Sequence, residues 1–594
     1  MTSTFIDAMN KTNMMTRGVN GSDVYTEMCG ATDKTEKRNE PLLTLFGAIN
    51  RGMNLHSLSD MIHAAYNAQS DMELLTILAF HVRDIEEGKG EREVFYFMFY
   101  HITKKLMSKD GRQGVLELIK IIPKYGSWLD LVALFDKTLE LAHVNDKTER
   151  EHAVYINNAI IAIFAEQLKD DFKLCKAGKM TQLSLAGKWA PREGKKHDVF
   201  AKRLAAHIYS EVWSKNRPGA LAAYRKMIVA LNAALKTTET YMCHNGATGS
   251  RAHHFADIDP SRVASRCLKI KRRAFFNEPL KNHTEGALRY PNDADRNACR
   301  EYFTAHVQKA LAPKVDGEPE AVVHGKRLMP HEFVMEFNKL LCSKTTTKND
   351  IDTLQAQWND MRNDVLKAGT LGKTVVMSDF SSSMGNIDSS TVCPMHISFG
   401  LGLLCAECTA PAFRNYLLTF NTTPRWHDLT KWGENALFQK FRSFMTAEWG
   451  GSTNFEAAYM LILDRLIKCN IPVGDEPDIM LVITDMGWDS AIGHSNTFET
   501  HVDKIKNAFK NAGGWKVPTI IIWNVSGNFK EFHHESTCVG ACTISGWSPA
   551  ILKTIMTCPS LLDALEDFTP FKLFLSTLNA PRYDAVRSAF NLGI

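Results

Sequence analysis

Apolar positions in the first half of the chain recur every three or four residues. Leu74, Leu75, Ile77, Leu78 and Phe80 form one such run, with His81 beside it, and Val94, Phe95, Phe97, Met98 and Tyr100 form another. That spacing puts apolar side chains on one face of an α-helix, and it persists from Pro41 to about Cys342. Breakers interrupt it at Glu87-Gly-Lys-Gly90, Lys109-Asp-Gly111, Pro123-Lys-Tyr-Gly126 and Asn145-Asp146. Residues 41–345 therefore read as an all-α domain of helical hairpins, HEAT-like in plan and without a strict sequence repeat. Residues 1–40 are polar, end in Lys34-Thr-Glu-Lys-Arg-Asn-Glu-Pro41, and read as a flexible arm with little to bury.

Past Thr345 the pattern changes. A polar helical stretch, Asp350 to Lys367, fills a connecting segment at 346–370. Short β-branched runs follow at Thr374-Val-Val-Met-Ser378, Tyr416-Leu-Leu-Thr-Phe420, Ile479-Met-Leu-Val-Ile-Thr484, Thr519-Ile-Ile-Ile-Trp523 and Ala541-Cys-Thr-Ile-Ser545. Helix-length segments separate them, which predicts crossovers in a mostly parallel sheet, so residues 371–594 read as a doubly wound, Rossmann-like α/β domain.

Composition narrows the class. Of 594 residues, 44% are hydrophobic and 23% charged, which excludes a disordered or collagen-like chain. The 13 cysteines are odd in number and follow no regular framework, so reduced thiols and a cytoplasmic location are expected. The N-terminal residues lack a basic region followed by an apolar stretch, and no segment reaches the ~18 apolar residues of a membrane span. A soluble protein is expected.

The first strand of the α/β half ends in Ser378-Asp-Phe-Ser-Ser-Ser-Met-Gly385. Asp379, Ser381 and Ser383 stand at alternate positions and point the same way. Trp449-Gly-Gly-Ser-Thr-Asn-Phe455 offers Thr453 just before a helix, and Asp485 ends the most apolar strand. All three pieces fall at carboxyl ends of strands, where open parallel sheets bind ligands. Their donors are hard oxygens of low total charge, which suit Mg²⁺ and leave room for water or one incoming carboxylate. This ordered set resembles the metal-ion-dependent adhesion site of von Willebrand factor A domains. The resemblance implies a metal shell of Asp379, Ser381, Ser383, Thr453 and Asp485, with Phe380 and Ser382 departing from the smaller residues common there.

Other motifs carry less. Gly369-Thr-Leu-Gly-Lys-Thr374 ends like a phosphate loop, but Lys367 stands where the first glycine belongs and the motif precedes a strand instead of following one. Cys405-Ala-Glu-Cys408 lies within an apolar helical run and reads as packing. His533, His534, Cys538 and Cys542 are a zinc candidate weakened by Cys542, which reads as strand core. No nucleophile elbow, no H-E-x-x-H and no convincing acid pair is present, so no catalysis is expected.

Charge is unevenly placed. The whole chain carries only +4, yet residues 181–275 hold eighteen Lys or Arg against six Asp or Glu, and the rest of the chain is net acidic. Such a segment can track a phosphate backbone, with Trp189, Tyr224, His253, His254 and Phe255 available to stack on unpaired bases. The candidate RNA contacts are Lys188, Arg225, Lys226, His253, His254, Arg262, Arg266, Lys269, Arg272 and Arg273. Arg262 and Arg266, four apart, are expected to share one helix face with Lys269 and Arg273. The competing reading is a solvated face, or pairing with acids from other helices.

Five blocks sharpen the picture: Arg83-Asp-Ile-Glu-Glu-Gly-Lys-Gly-Glu-Arg92, Ile122-Pro-Lys-Tyr-Gly-Ser-Trp-Leu-Asp130, Leu185-Ala-Gly-Lys-Trp-Ala-Pro191, Ser261-Arg-Val-Ala-Ser-Arg266 and Ser545-Gly-Trp-Ser-Pro549. They resemble the uncharacterised DUF2828 family, which is similar in plan to the Ro ribonucleoproteins, a TROVE module of helical repeats closed by a von Willebrand A domain. That resemblance implies RNA at the basic segment, either small structured RNA or single-stranded ends. Most of the blocks also have plain structural readings as turns and core anchors. The expectation is an RNA-binding scaffold with a metal site, and the alternative is a metal-dependent adaptor that grips an acidic protein partner.

Overall fold

The computed structural model describes residues 15–17, 23–108, 111–242, 254–280, 286–313, 320–343, 346–420, 424–446, 455–486, 505, 507–527, 532–557 and 568–592. The principal helices of the first half are α1 (Lys34–Ala48), α2 (Leu55–Asn67), α3 (Met72–Arg83), α4 (Glu93–Met107), α5 (Arg112–Tyr125), α6 (Trp128–Leu141), α7 (Lys147–Lys176), α8 (Asp198–Ile208), α9 (Arg217–Leu235), α10 (Ser265–Phe275), α11 (Ala294–Leu311), α12 (Pro330–Cys342) and α13 (Lys348–Leu366). Side-chain caps start several of them. Asp33 accepts from the backbone N–H groups of Thr35 and Glu36, Asp71 from those of Glu73 and Leu74, and Thr347 with Asp350 closes a capping box on α13. From α3 to α9 consecutive helices pack on one another in chain order, joined by contacts such as Phe164 of α7 on Phe200 of α8 with ring centroids 5.5 Å apart.

The second half contains β3 (Thr374–Asp379), α14 (Pro394–Glu407), β4 (Tyr416–Phe420), β5 (Trp426–Asp428), α15 (Leu437–Phe444), α16 (Phe455–Lys468), β6 (Ile479–Thr484), β7 (Thr519–Asn524), β8 (Ala541–Ser545), α17 (Pro570–Leu578) and α18 (Asp584–Asn591); β1 (Met15–Arg17) and β2 (Asp23–Tyr25) form a separate two-stranded ribbon. The five β-branched runs are the five parallel strands of a six-stranded mixed sheet ordered β5-β4-β3-β6-β7-β8. The sixth strand, β5, pairs antiparallel at the edge.

The sheet alternates faces residue by residue. Val375, Met377, Met480, Val482, Ile520 and Ile522 pack with Tyr459, Ile462 and Leu466 of α16. The opposite face, with Val376, Leu481, Ile483, Ile521, Trp523 and Ile544, belongs to the same apolar core as the helical half. Helix α14 lies between the two halves, and Met395 through Glu407 are buried. Glycines allow this. A Cβ on Gly402 would run into Ser378 Oγ of β3, and one on Gly400 would sit 2.6 Å from the carbonyl carbon of Pro330 at the start of α12.

The two ends of the chain cross over. Helix α1 packs on β8 and α17, and α18 packs on α3 and α5. Residues 23–40 are consequently not a free arm: the Tyr25 N–H donates to Phe532 O at 2.9 Å, and Met28, Cys29 and Ala31 are buried. Their burial rests on polar satisfaction that apolar periodicity does not register. Glu40 accepts from Ala31 N (2.7 Å) and Ser536 Oγ (2.8 Å), and Asn39 Oδ1 accepts from Asp71 N (2.9 Å).

Candidate functional site

Strands β3 and β6 are neighbours, and the direction of strand succession reverses between them, the position where open α/β sheets form a binding crevice. Asp379 ends β3 and Asp485 follows β6, and both are fully buried. Thr484 Oγ1 donates to Asp379 Oδ2 (2.6 Å), the Ser381 N–H donates to Asp379 Oδ1 (2.8 Å), and Ser381 Oγ lies 3.0 Å from Ser383 Oγ. Burial, with the Asp485 charge adding to it, pushes the Asp379 carboxyl up to about 7. Two desolvated carboxyls that repel each other beside paired hydroxyls are relieved by a hard divalent cation, so this donor set fits Mg²⁺. Thr453 lies outside the described residues.

The departures at Phe380 and Ser382 have local explanations. The Phe380 ring is buried 4.9 Å from Phe444 and 6.1 Å from Phe399, so the bulkier residue fills core under the loop. Ser382 is exposed and opens the 3₁₀ turn Ser382–Met384. Among the described residues no three His, Cys, Asp or Glu side chains converge, and the zinc candidates are otherwise engaged. His533 Nε2 lies 3.0 Å from Met486 O and His534 Nε2 lies 2.8 Å from Thr543 Oγ1.

The basic segment divides. Arg272 is buried and holds Asp350 (2.6 Å) and Glu336 (3.3 Å), Lys269 holds Glu332 (2.9 Å), and Arg273 lies 3.9 Å from Asp350. Arg225 pairs with Glu193, and His254 lies 3.8 Å from Asp295. Much of the local positive excess is thus matched by acids from α11, α12 and α13. Arg262 does not share the helix face of Arg266: it ends a separate 3₁₀ turn, Pro260–Arg262, and extended Val263 and Ala264 intervene before α10. Lys226, Arg262 and Arg266 are exposed, and Lys188 is half-buried 3.6 Å from Glu239. His253 lies outside the described residues.

Basic side chains also gather at a second place. A cavity of about 1160 Å³ opens where the helical half meets the C-terminal domain, and every one of the five sequence blocks contributes to its wall. Arg92, Lys124, Lys188, Arg266 and Ser548 stand for them in turn, and Lys271, Lys326 and Lys553 are among the other basic residues of the wall. Ten Lys or Arg and six Asp or Glu line it. The blocks are also pinned to one another. Arg83 Nε and Nη2 reach Asp130 Oδ1 (3.0 Å) and Oδ2 (2.8 Å), joining the first two blocks, and Lys89 Nζ donates to Ser545 Oγ (2.6 Å), joining the first to the last. Charge counting along the chain misses this cavity because its cations come from segments far apart; the five sequence blocks were the available signal.

Residues 373–571 match the domain of unknown function DUF7788, and residues 137–285 match the domain of unknown function DUF2828. No solved structure matches the chain. Over 543 residues it is 26% identical to the uncharacterized protein L728 of Acanthamoeba polyphaga mimivirus, an alignment that covers 90% of this chain and 84% of that one.

Proposed function

We propose that this protein is a non-catalytic RNA-binding scaffold of Ro-like plan, in which a von Willebrand A-type domain closes a TROVE-like helical half around the basic cavity. The observation that carries this reading is the convergence of all five blocks on one cavity with more cations than acids. Lys124, Lys271 and Lys326 are exposed on its wall and suit phosphates, while half-buried Trp189 and the exposed side chains of Leu185 and Ile270 suit unpaired bases. The divalent cation would be held by Asp379, Ser381, Ser383 and Asp485, with Thr453 completing the shell. It would supply charge neutralisation at the switch point of the sheet.

Fluorescence anisotropy with the full chain and a labelled single-stranded RNA tests the reading. Lys271→Glu with Lys326→Glu should weaken binding by about tenfold or more, and Arg225→Glu with Lys226→Glu, outside the cavity, should change it by no more than about twofold. Equal losses in both double variants would return the binding surface to the stripe. No binding in the wild type would leave the metal-dependent adaptor, which the same oxygen set would suit because, with a cation bound, it would leave room for a partner carboxylate.

A further inference from the structure

Eight residues beyond the Gly385 turn, Cys393 caps the N-terminus of the fourteen-residue helix α14, and its Sγ lies 3.1 Å from His396 Nδ1. Cys393 is partly exposed as a residue, whereas His396 is fully buried. The tautomer of His396 follows from its surroundings. The Cys393 backbone N–H donates to Nδ1 at 3.2 Å, so Nδ1 carries the lone pair; the thiol donates to the Asn386 carbonyl oxygen at 3.3 Å, with Nδ1 at 3.1 Å as its alternative acceptor. Burial holds the imidazole below its ordinary range, with the Ile387 carbonyl and the Asp388 carboxylate opposing that from the neighbouring loop, so the ring is a neutral base at pH 7. A thiolate formed here is received by the first turn of α14, where the capping box aims the His396 backbone N–H at Sγ.

We propose that Cys393 and His396 form a nucleophilic thiol–imidazole pair that makes Cys393 an oxidation site for hydroperoxides. His396 Nδ1 takes the thiol proton, the sulfur electron pair attacks the terminal peroxide oxygen, the O–O bond breaks, and the proton leaves with the departing hydroxide as water, or with an alkoxide as alcohol for an organic hydroperoxide. Cys393 becomes a sulfenic acid and the peroxide is reduced by two electrons. The product has little room. Gly385 has φ +87°, a Cβ built on it would lie 3.3 Å from Sγ, and the Asn386 carbonyl oxygen sits 3.3 Å from Sγ, so an added oxygen must displace the turn that begins two residues after Ser383.

Two other thiols, Cys342 and Cys469, are more exposed than Cys393 and have no such partner among the described residues, which makes them internal references. The full chain is treated at pH 7 with limiting hydrogen peroxide and dimedone, and adducts are mapped by peptide mass spectrometry. Cys393 should be trapped at least about tenfold faster than Cys342 and Cys469, and His396→Gln should bring it to their rate. Trapping of Cys393 no faster than the reference thiols, or unaltered by His396→Gln, overturns the proposal. Should His396→Gln fail to fold by circular dichroism, the wild-type pH profile decides: reactivity of Cys393 that holds between pH 8 and 6.5 supports the pair, and a fall parallel to that of Cys342 overturns it.

Discussion

The ammonium of Lys89 lies 2.6 Å from the hydroxyl of Ser545, 456 residues later in the chain, and donates also to the carbonyl oxygens of Phe46 (2.6 Å) and Ile49 (3.1 Å). It sits at the C-terminal end of α1, where a cation is favoured by the helix dipole. One buried side chain thus ties the N-terminal helix, the first sequence block and the last strand of the sheet together.

Replacing Lys89 with Met should separate the transitions of the two halves and cost about 2 kcal/mol, since two buried carbonyls lose their strongest donor. The pH dependence has a definite sign. Burial pulls the Lys89 amine down to about 7, so between pH 7 and 10 the unfolded chain binds the proton that the folded chain has lost. Wild-type stability should therefore gain with rising pH in that window relative to Lys89→Met. Urea unfolding from pH 6 to 10 measures the difference, and parallel curves for the two proteins would refute it.

Arg83 and Asp130 form a second pin, side chains 2% and 0% exposed, with Tyr96 Oη donating to Asp130 Oδ1 at 2.6 Å. Removing one partner of a buried pair strands the other, so Arg83→Met should cost about 3–5 kcal/mol. Gly126→Ala should approach the same loss while leaving both charged residues in place, because a Cβ there meets Arg83 Nε at 2.7 Å and collides with Asp130 Oδ2. Thermal unfolding of the two variants, together and singly, should show strong non-additivity.

These pins explain what sequence reading could and could not reach. The five parallel strands were legible because Val375 to Met377 or Met480 to Ile483 are apolar on both faces, short and rich in β-branched residues, a combination that suits a buried strand better than a helix. Asp379 and Asp485 were legible as a pair because each ends such a strand. The roles of Arg272 and Lys269 were not, since a helix facing other helices carries the same charges as one facing solvent and the acids that neutralise them, Asp350 and Glu332, lie more than sixty residues away. The cavity was hidden for the same reason: no local window contains both Lys124 and Lys326. Residues 23–40 escaped because hydrogen bonds that apolar spacing does not register join them to the segment before β8, from the Tyr25 N–H to Phe532 O and from Ser536 Oγ to Glu40.

If the cavity holds single-stranded RNA, its phosphates contribute to the salt dependence one by one. Lys271→Ala with Lys326→Ala should lower the slope of log affinity against log salt by about 1.4, since each phosphate neutralised on a single strand contributes about 0.7. The exposed pair Arg225→Ala with Lys226→Ala should leave the slope unchanged. Titrations at four salt concentrations suffice, and an unchanged slope in the cavity variant would remove both lysines from the binding surface.

The carboxyl pair at the sheet's switch point gives the last expectation. In the metal-free protein Asp379 is raised to about 7 against an ordinary value near 4, so the folded chain holds a proton that the unfolded chain releases. Stability of the metal-free protein should fall as pH rises from about 4 to 7, the penalty of charging Asp379 beside buried Asp485. A bound divalent cation reverses that penalty. Mg²⁺ should therefore raise the melting temperature at pH 8 more than at pH 6, and Asp379→Asn should abolish the Mg²⁺ increment while stabilising the metal-free protein. Differential scanning fluorimetry with and without Mg²⁺ measures both. A wild-type protein indifferent to Mg²⁺, Mn²⁺ and Ca²⁺ across this range would leave the buried pair as a proton-sharing structural contact and take the metal out of the proposed scaffold.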